Sequence, residues 1–486
     1  MATAPTSGAG TTRVERLLPK SLQVLRHRDF ALVQLGNGIS SIGTWFQYVA
    51  LAWGIHQLTP WPFAVALSLV AQFAPSLVLS PFAGSIADRF DRRHIVIVGN
   101  LAMAAPPVAI GVLVGLHAQS VSSLLGLAAL GGVAQAIAQP AMTSIVPHIV
   151  PESEITQAIA GVSVIQNVTR IVGPSLGALV INQWGLASAF YLNAVSFFAV
   201  VLAWWFVRPV TNWTPQRRES FAAQTRAGLR YARHNRQVKH LLILAIVMSA
   251  VVFQSALLPV IASNVLHSGA GGFGLLQSAG GPGAIVGAVL AGEIITDRRR
   301  RVSLIGGALI MGGGYALVAL SRSLWVTAGG VCIFGFSFFM VSAVGQTVLL
   351  TVTPDRYRGR VMGLFAMVTV GGVPVAALLG GGLGSWIGPT QAIGVAAIIV
   401  FAYAAWFVLS GTYRLIGVEG AAEGEPADDA PARDAQDADA PVDQDAPPVP
   451  RPGVAAANLA QRLVHDLAAD LDRDVLGTQP TLPEAG

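Results

Sequence analysis

Arg170 is the only charged residue in the apolar stretch 155–181, and it falls near the middle of it. A lone ionic side chain in a lipid-embedded segment is costly, and it is kept where it can face other helices or a wet cavity. Ser163, Asn167, Arg170 and Pro174 follow one another at i, i+4, i+7 and i+11, so a helix would carry them on one face. The chemistry open to such a face is recognition rather than bond-making. A guanidinium can hold an anionic solute group, a buried carboxylate or a helix C-terminus, or it can simply brace carbonyls between helices. A second polar row, Gln34, Asn37, Ser41, Trp45 and Tyr48, recurs at helical spacing in the first apolar stretch. Gln135, Gln139, Gln254, Ser342 and Gln346 interrupt later ones. Uncharged hydrogen-bonding groups among apolar walls suit a moderately sized amphipathic solute. There is no Gly-x4-Gly-Lys-Ser/Thr loop, no metal-ligand cluster and no nucleophile–base constellation. No cofactor, bound metal or enzymatic activity is therefore expected.

The elements that must position these residues are membrane spans. Hydrophobic residues make up 53% of the 486-residue chain and charged residues only 11%, whereas a soluble domain carries about a quarter charged residues. Stretches long enough to cross a bilayer run over 30–55, 62–86, 94–116, 121–146, 155–181 and 186–207, then 240–266, 271–295, 302–320, 324–352, 361–385 and 390–412. Twelve spans place both termini on one side, and the positive-inside rule makes that side the cytoplasm. The inner loops then collect Arg89, Arg92, Arg93, the 208–239 linker, Arg298–Arg301 and Arg356–Arg360, and the outer loops only Arg322. Trp53, Trp61, Trp184, Trp325 and Trp386 fall at outer ends, as an aromatic belt would. No cleavable signal peptide is expected, since the first thirty residues lack an apolar core. Cys332 is the one cysteine and reads as a small apolar filler.

The chain repeats itself. Gly84-x3-Asp88-Arg89-x-x-Arg92-Arg93 follows span 2, and Gly292-Glu293-x-x-Thr296-Asp297-Arg298 follows span 8. Pro151-Glu152 opens span 5 and Pro354-Asp355 opens span 11, an offset of about 205 residues that marks a duplicated six-helix unit. The first of these motifs resembles the loop 2–3 signature of the major facilitator superfamily. Leu25-Arg-His-Arg-Asp29-Phe30, Arg170-x-x-Gly173-Pro174-x-x-Gly177 and Tyr357-Arg358-Gly359-Arg360-Val361-Met362-Gly363 resemble its enterobactin-exporter-like branch. The resemblance covers roughly residues 20–412.

That resemblance implies an all-α fold of twelve transmembrane helices in two pseudo-symmetric six-helix bundles, moving by alternating access about a central site. It implies gating residues at Gly84, Asp88, Arg89, Arg92, Arg93, Asp297 and Arg298, with unequal gates because Thr296 replaces the first-half Asp88. It implies a substrate pathway on the cavity-lining spans, through Gln34, Asn37, Trp45, Gln139, Asn167, Arg170, Gln254 and Gln346. Gly173, Pro174 and Gly177 resemble the core of the span 5 motif of drug–proton antiporters, which favours export, although Thr169 and Ala178 stand where that motif has glycines. No carboxylate lies deep in a span, so proton coupling has only Glu293, Asp88 and Asp29 to draw on, with Glu293 beside the span 8 end its candidate.

The expected organisation is an N-terminal segment 1–29, bundles 30–207 and 240–412, a linker 208–239 and a tail 413–486. Residues 1–418 hold 26 Lys/Arg against 10 Asp/Glu, and 419–486 hold 4 against 15. The basic balance thus belongs to the membrane part and not to a nucleic-acid surface, while the tail is acidic with one short helical pattern over 454–476. The reading is a monomeric secondary exporter of siderophores, drugs or metabolites in a bacterial inner membrane, with small solutes, lipid and protons as partners. Uptake or flipping of a lipid-like solute and a transport-dead sensor are the alternatives.

Overall fold

The computed structural model describes residues 24–415, apart from residues 90, 145–148, 208–220, 251–253, 295 and 370. Side chains of a few further positions, 80–89 and Arg92 among them, also lie outside the described set. The tail pattern over 454–476 lies outside it entirely, within a separate unit, Ala427–Gly486.

The first half holds six long helices, α1 (Arg28–Leu58), α2 (Pro62–Arg89), α3 (Arg92–Gly115), α4 (Val121–Ser144), α5 (Ile155–Trp184) and α6 (Leu186–Phe206). A surface helix, α7 (Phe221–His234), leads into the second half. There span 7 is α8 (Arg236–Ala250) and α9 (Gln254–Val260), closed by a π turn at Ile261–Val265. Spans 8 to 10 are α10 (Gly269–Gly292), α11 (Asp297–Leu320) and α12 (Leu324–Val352). Span 11 is α13 (Asp355–Thr369) with α14 (Gly372–Ile387), and span 12 is α15 (Pro389–Leu409). In lipid every backbone polar group must be satisfied internally, so helices are the form these apolar stretches take.

Among the described residues, ten of these segments are long and apolar enough to cross a membrane. The other two are α1 and α2. Helix α1 spends its middle on Gln34, Asn37, Ser40, Ser41, Thr44 and Gln47, which face a cavity rather than lipid. In α2 only Pro62–Ser76 stands out as an apolar run among the described residues.

Helix ends follow local chemistry. The Asp91 side chain accepts from the Arg93 amide at 2.8 Å and caps α3, and Thr296 caps α11 by accepting from Arg299. Gly185 (φ 84°) turns α5 into α6 and Gly388 (φ 95°) turns α14 into α15, a backbone region open to glycine without strain. These two turns occupy corresponding places in the two halves.

Within the first half α1 packs on α5 and α6, α3 on α4 and α6, and α2 on α4. In the second, α12 packs on α10 and α11, and α11 on α15. The halves meet through α5 on α10 and α2 on α14, spans 5 with 8 and 2 with 11. The repeat pairs span 2 with 8 and 5 with 11, so an approximate two-fold exchanges the two contacts. Small residues make the approach possible: a Cβ on Gly274 would stand 2.2 Å from that of Ala178, and one on Gly381 2.4 Å from that of Ala66. Among the described residues, the α2–α14 approach lies at the end that carries Gly185 and Gly388, opposite α7, while the α5–α10 approach runs from Gly274 and Ala178 near that end to Gly281 and Ile171 at mid-helix. Leu202, Trp205, Val289 and Ile398 point outward, as a lipid-facing surface requires.

Trp61, Trp184, Trp325 and Trp386 are exposed at that same end, but Trp53 is not. It is 8% exposed and lies 6.2 Å from the Phe273 ring of α10. The sequence position matches the belt, yet the helix rotation turns Trp53 toward the second half.

Candidate functional site

The six helices of the first half surround a cavity of about 530 Å3, a size that suits a small-molecule ligand. Helix α1 supplies one wall through Gln34, Asn37, Trp45 and Tyr48, and α4 another through Gln135 and Gln139. Gln72, Asn100 and Asn193 come in from α2, α3 and α6. Helix α5 contributes Gln166, Thr169 and Arg170. Among the described residues, Arg170 is the one charged residue in this lining.

Several of these amides have unmet hydrogen-bonding capacity. Gln34 is 2% exposed and Asn100 fully buried, and among the described residues Gln34 Nε2, Asn37 Oδ1 and Asn100 Oδ1 have no hydrogen-bond partner. Leaving a buried polar group unpaired costs roughly 1–3 kcal/mol, so the arrangement favours water or a polar solute in the cavity. An aromatic wall runs beside them. Trp45 meets Tyr48 edge-on at 5.5 Å, and Tyr48 stacks on Phe73 at 5.9 Å.

Arg170 has neither a carboxylate nor a hydrogen-bond acceptor paired with it among the described residues. Its guanidinium carbon lies 5.0 Å from the centre of the Phe339 ring on α12, so this contact joins the halves. The neighbouring residues explain the placement. A Cβ on Gly173 would meet Trp45 Cβ at 2.6 Å, and one on Gly177 would meet Phe46 Cα at 3.1 Å, so α5 lies close against α1 on that face. On the adjacent face Ile171, the Pro174 carbonyl, Ala178 and Asn182 meet glycines of α10, and Ser175 Oγ bonds Ser278 Oγ at 2.8 Å.

Not every residue expected on the pathway reaches this cavity. Asn167 donates to the Ser163 carbonyl of its own helix at 2.9 Å. Gln254 is buried in α9 with Oε1 unpartnered, and Gln346 is exposed on α12. In the second half a small void of about 20 Å3 opens beside Ser342, Met248 and Phe365. Gln72, Asn100 and Asn193 were missed from sequence, although an amide in the middle of an apolar span is itself the signal that could have found them.

At the opposite end from the Gly185 turn, the loop 2–3 residues Gly84, Asp88, Arg89 and Arg92 lie outside the described side chains. Arg93 does more than add charge: its guanidinium donates to the Trp205 carbonyl at 2.9 Å, at the C-terminal end of α6, where a helix dipole favours a cation. In the second-half copy Asp297 pairs with Arg300 at 3.2 Å within α11, and Arg298 is exposed. Glu293 is exposed at the end of α10, away from the cavity lining. A Cβ on Gly292 would meet nothing within 4 Å, so close helix approach is not its role here.

A separate clasp ties the start of α1 to the start of α5. Glu154 accepts from Arg26 and pairs with His27 Nε2 at 2.9 Å. The His27 hydrogen bond, with help from Arg26, holds the Glu154 carboxyl below the ordinary carboxylate range. The linker helix is also anchored: Tyr231 stacks on Tyr357 at 4.4 Å, and Gly228 sits where a Cβ would meet the Arg360 carbonyl at 3.0 Å.

A polytopic helical bundle in two related halves with a solute-sized polar cavity has the architecture of a membrane transporter. The family described as transmembrane secretion effector matches residues 20–449, and the chain belongs to this family of the major facilitator superfamily, in its enterobactin-exporter-like branch. It is 28% identical over 399 residues to the uncharacterized MFS-type transporter YfiS of Bacillus subtilis (strain 168), covering 78% of this chain and 90% of the relative. It is 27% identical over 381 residues to the enterobactin exporter EntS of Salmonella choleraesuis (strain SC-B67), covering 76% and 89%. A bacterial homologue of the human lysosomal transporter Spinster, solved inward-facing and occupied, shares the fold with a TM-score of 0.64 at 15% identity, over 83% of this chain and 99% of that one. A bacterial homologue of the iron transporter ferroportin, solved inward-facing, gives 0.60 at 16% identity, over 78% and 99%.

Proposed function

We propose that this protein is a secondary active exporter of small amphipathic solutes across a bacterial cytoplasmic membrane, working as a monomer with both termini in the cytoplasm. The observation that carries the reading is the 530 Å3 cavity with its uncharged amides, aromatic wall and single cation. Among the described residues the α2–α14 contact lies at the end away from α7, and the α5–α10 contact runs from that end to mid-helix; this supports a resting state that opens toward the linker side. Alternating access would exchange that state for its mirror by breaking the α5–α10 and α2–α14 contacts. In this reading the two loop motifs, from Gly84 to Arg93 and from Asp297 onward, act as gates on the linker side. The similarity to exporters named for enterobactin supports outward transport and makes siderophores reasonable solutes to try.

The test is efflux from proteoliposomes preloaded with a siderophore, cationic and neutral drugs and a lysolipid, with and without an imposed pH gradient. Gradient-dependent efflux of one class is the expected result, and Glu293→Gln then reports whether that carboxylate couples protons to it. Absence of efflux for every member under both conditions would refute the export reading.

A further inference from the structure

Resting on the export reading, we propose that the solute carries an anionic group on a flat ring, that Arg170 is its charge anchor, and that binding takes Arg170 away from Phe339. Arg170 lines a cavity whose other described wall residues are all uncharged. The partner that faces its guanidinium at 5.0 Å is the Phe339 ring. A cation over a ring is held by about 0.5–2 kcal/mol. A charge-assisted hydrogen bond to an anion is stronger, and the low-dielectric surroundings of the helix bundle strengthen it further. A carboxylate, phenolate or phosphate that enters therefore competes successfully with Phe339, whereas a cationic solute meets only repulsion.

The rest of the wall describes the rest of the solute. Trp45, Tyr48 and Phe73 form a contiguous aromatic surface against which a planar ring packs favourably. Among the described residues, Gln34 Nε2 is a buried donor without a partner, and Asn100 Oδ1 a buried acceptor without one. The first can donate to an acceptor on the solute, and the second can take a hydroxyl or N–H of it. Phe339 belongs to the second half, so the exchange of partners also releases a contact between α5 and α12. Occupancy thus removes one tie between the halves.

The probes are 1-naphthoate and its neutral isostere 1-naphthamide, titrated calorimetrically into the purified full-length protein. The wild type binds naphthoate at least about tenfold tighter than naphthamide, and Arg170→Gln brings the two within about twofold. Arg170→Lys keeps a preference for the anion, which also shows that the fold tolerates change at this position. Phe339→Leu removes the competing ring and tightens naphthoate by about threefold or more while leaving naphthamide unchanged. An undiminished anion preference in Arg170→Gln overturns the assignment, as does binding of neither probe by the wild type. Efflux assays on the same protein separate the two readings. Efflux restricted to neutral or cationic solutes sinks the anion assignment and leaves export standing. Anion-selective binding without efflux of any solute sinks export and leaves the Arg170 site.

Discussion

Gly274 is where a single methyl group should shift the whole transport equilibrium. It lies on α10 at the contact with α5, and an added Cβ would stand 2.2 Å from Ala178 Cβ and 2.9 Å from the Pro174 carbonyl oxygen. Neither neighbour can retreat alone, since alanine has no rotamer and the carbonyl belongs to the helix backbone. Ordinary van der Waals contact begins at 3.4 Å, so the helices must part by about 1 Å, and overpacking of this kind costs about 1–3 kcal/mol. Alanine also favours helix by about 1 kcal/mol, but that gain is present whether the halves are together or apart, so it cancels. The strain exists only in the conformation with α5 on α10. Gly274→Ala should therefore disfavour that conformation by about 5- to 150-fold. The assay is a spin-label distance measurement between Gln57→Cys and Arg322→Cys, on opposite halves at the same end, in a Cys332→Ala background. The long-distance population should grow in Gly274→Ala and fall again in Gly274→Ala/Ala178→Gly, where the opposing Cβ is gone. Gly313→Ala is the control, because a Cβ there meets nothing within 4 Å. An unchanged distance distribution, or an equal shift in the control, would refute the reasoning.

Gly173→Ala drives a Cβ into the Cβ and Cγ of Trp45 at 2.6 and 2.8 Å, atoms too near the backbone to swing away; a loss of about 1–3 kcal/mol should appear as a lower Tm in detergent. Glu154→Gln should also lower the Tm at neutral pH, because the carboxylate is bound by His27 and Arg26. Its folded pKa is depressed, so that contribution is present above the ordinary carboxylate range and lost as pH falls through the folded value. The Tm difference between wild type and Glu154→Gln should accordingly close on acidification, and a gap that persists well below the carboxylate range would contradict the clasp. Tyr231→Ala removes a ring stacked at 4.4 Å on Tyr357. With an aromatic pair worth about 0.5–1.5 kcal/mol beyond its buried area, amide exchange over 225–234 should quicken by about tenfold or more while α13 keeps its protection.

What could be read from the chain in advance is what each segment decides for itself. A membrane helix satisfies its own backbone and meets lipid through its own side chains, so apolar length and loop charge marked the spans without knowledge of their neighbours. The Gly185 and Gly388 turns and the Asp91 cap are likewise local. Arg170 was legible too, because a lone charge in an apolar helix must be accommodated somewhere. The partner it found was not, since Phe339 lies 169 positions along the chain and reaches it only through the packing of α12 against α10. The same limit separated Gln34, Asn37, Trp45 and Gln139, which line the cavity, from Asn167, Gln254 and Gln346, which do not. All seven are polar or aromatic residues on apolar helices, and nothing in their local spacing distinguishes them. Sequence determined that this protein is a duplicated set of membrane helices with one stranded cation. The rotation of each helix about its axis, set by which glycines let neighbours approach, decided which polar groups share a cavity with that cation, and that is a property of the packed whole.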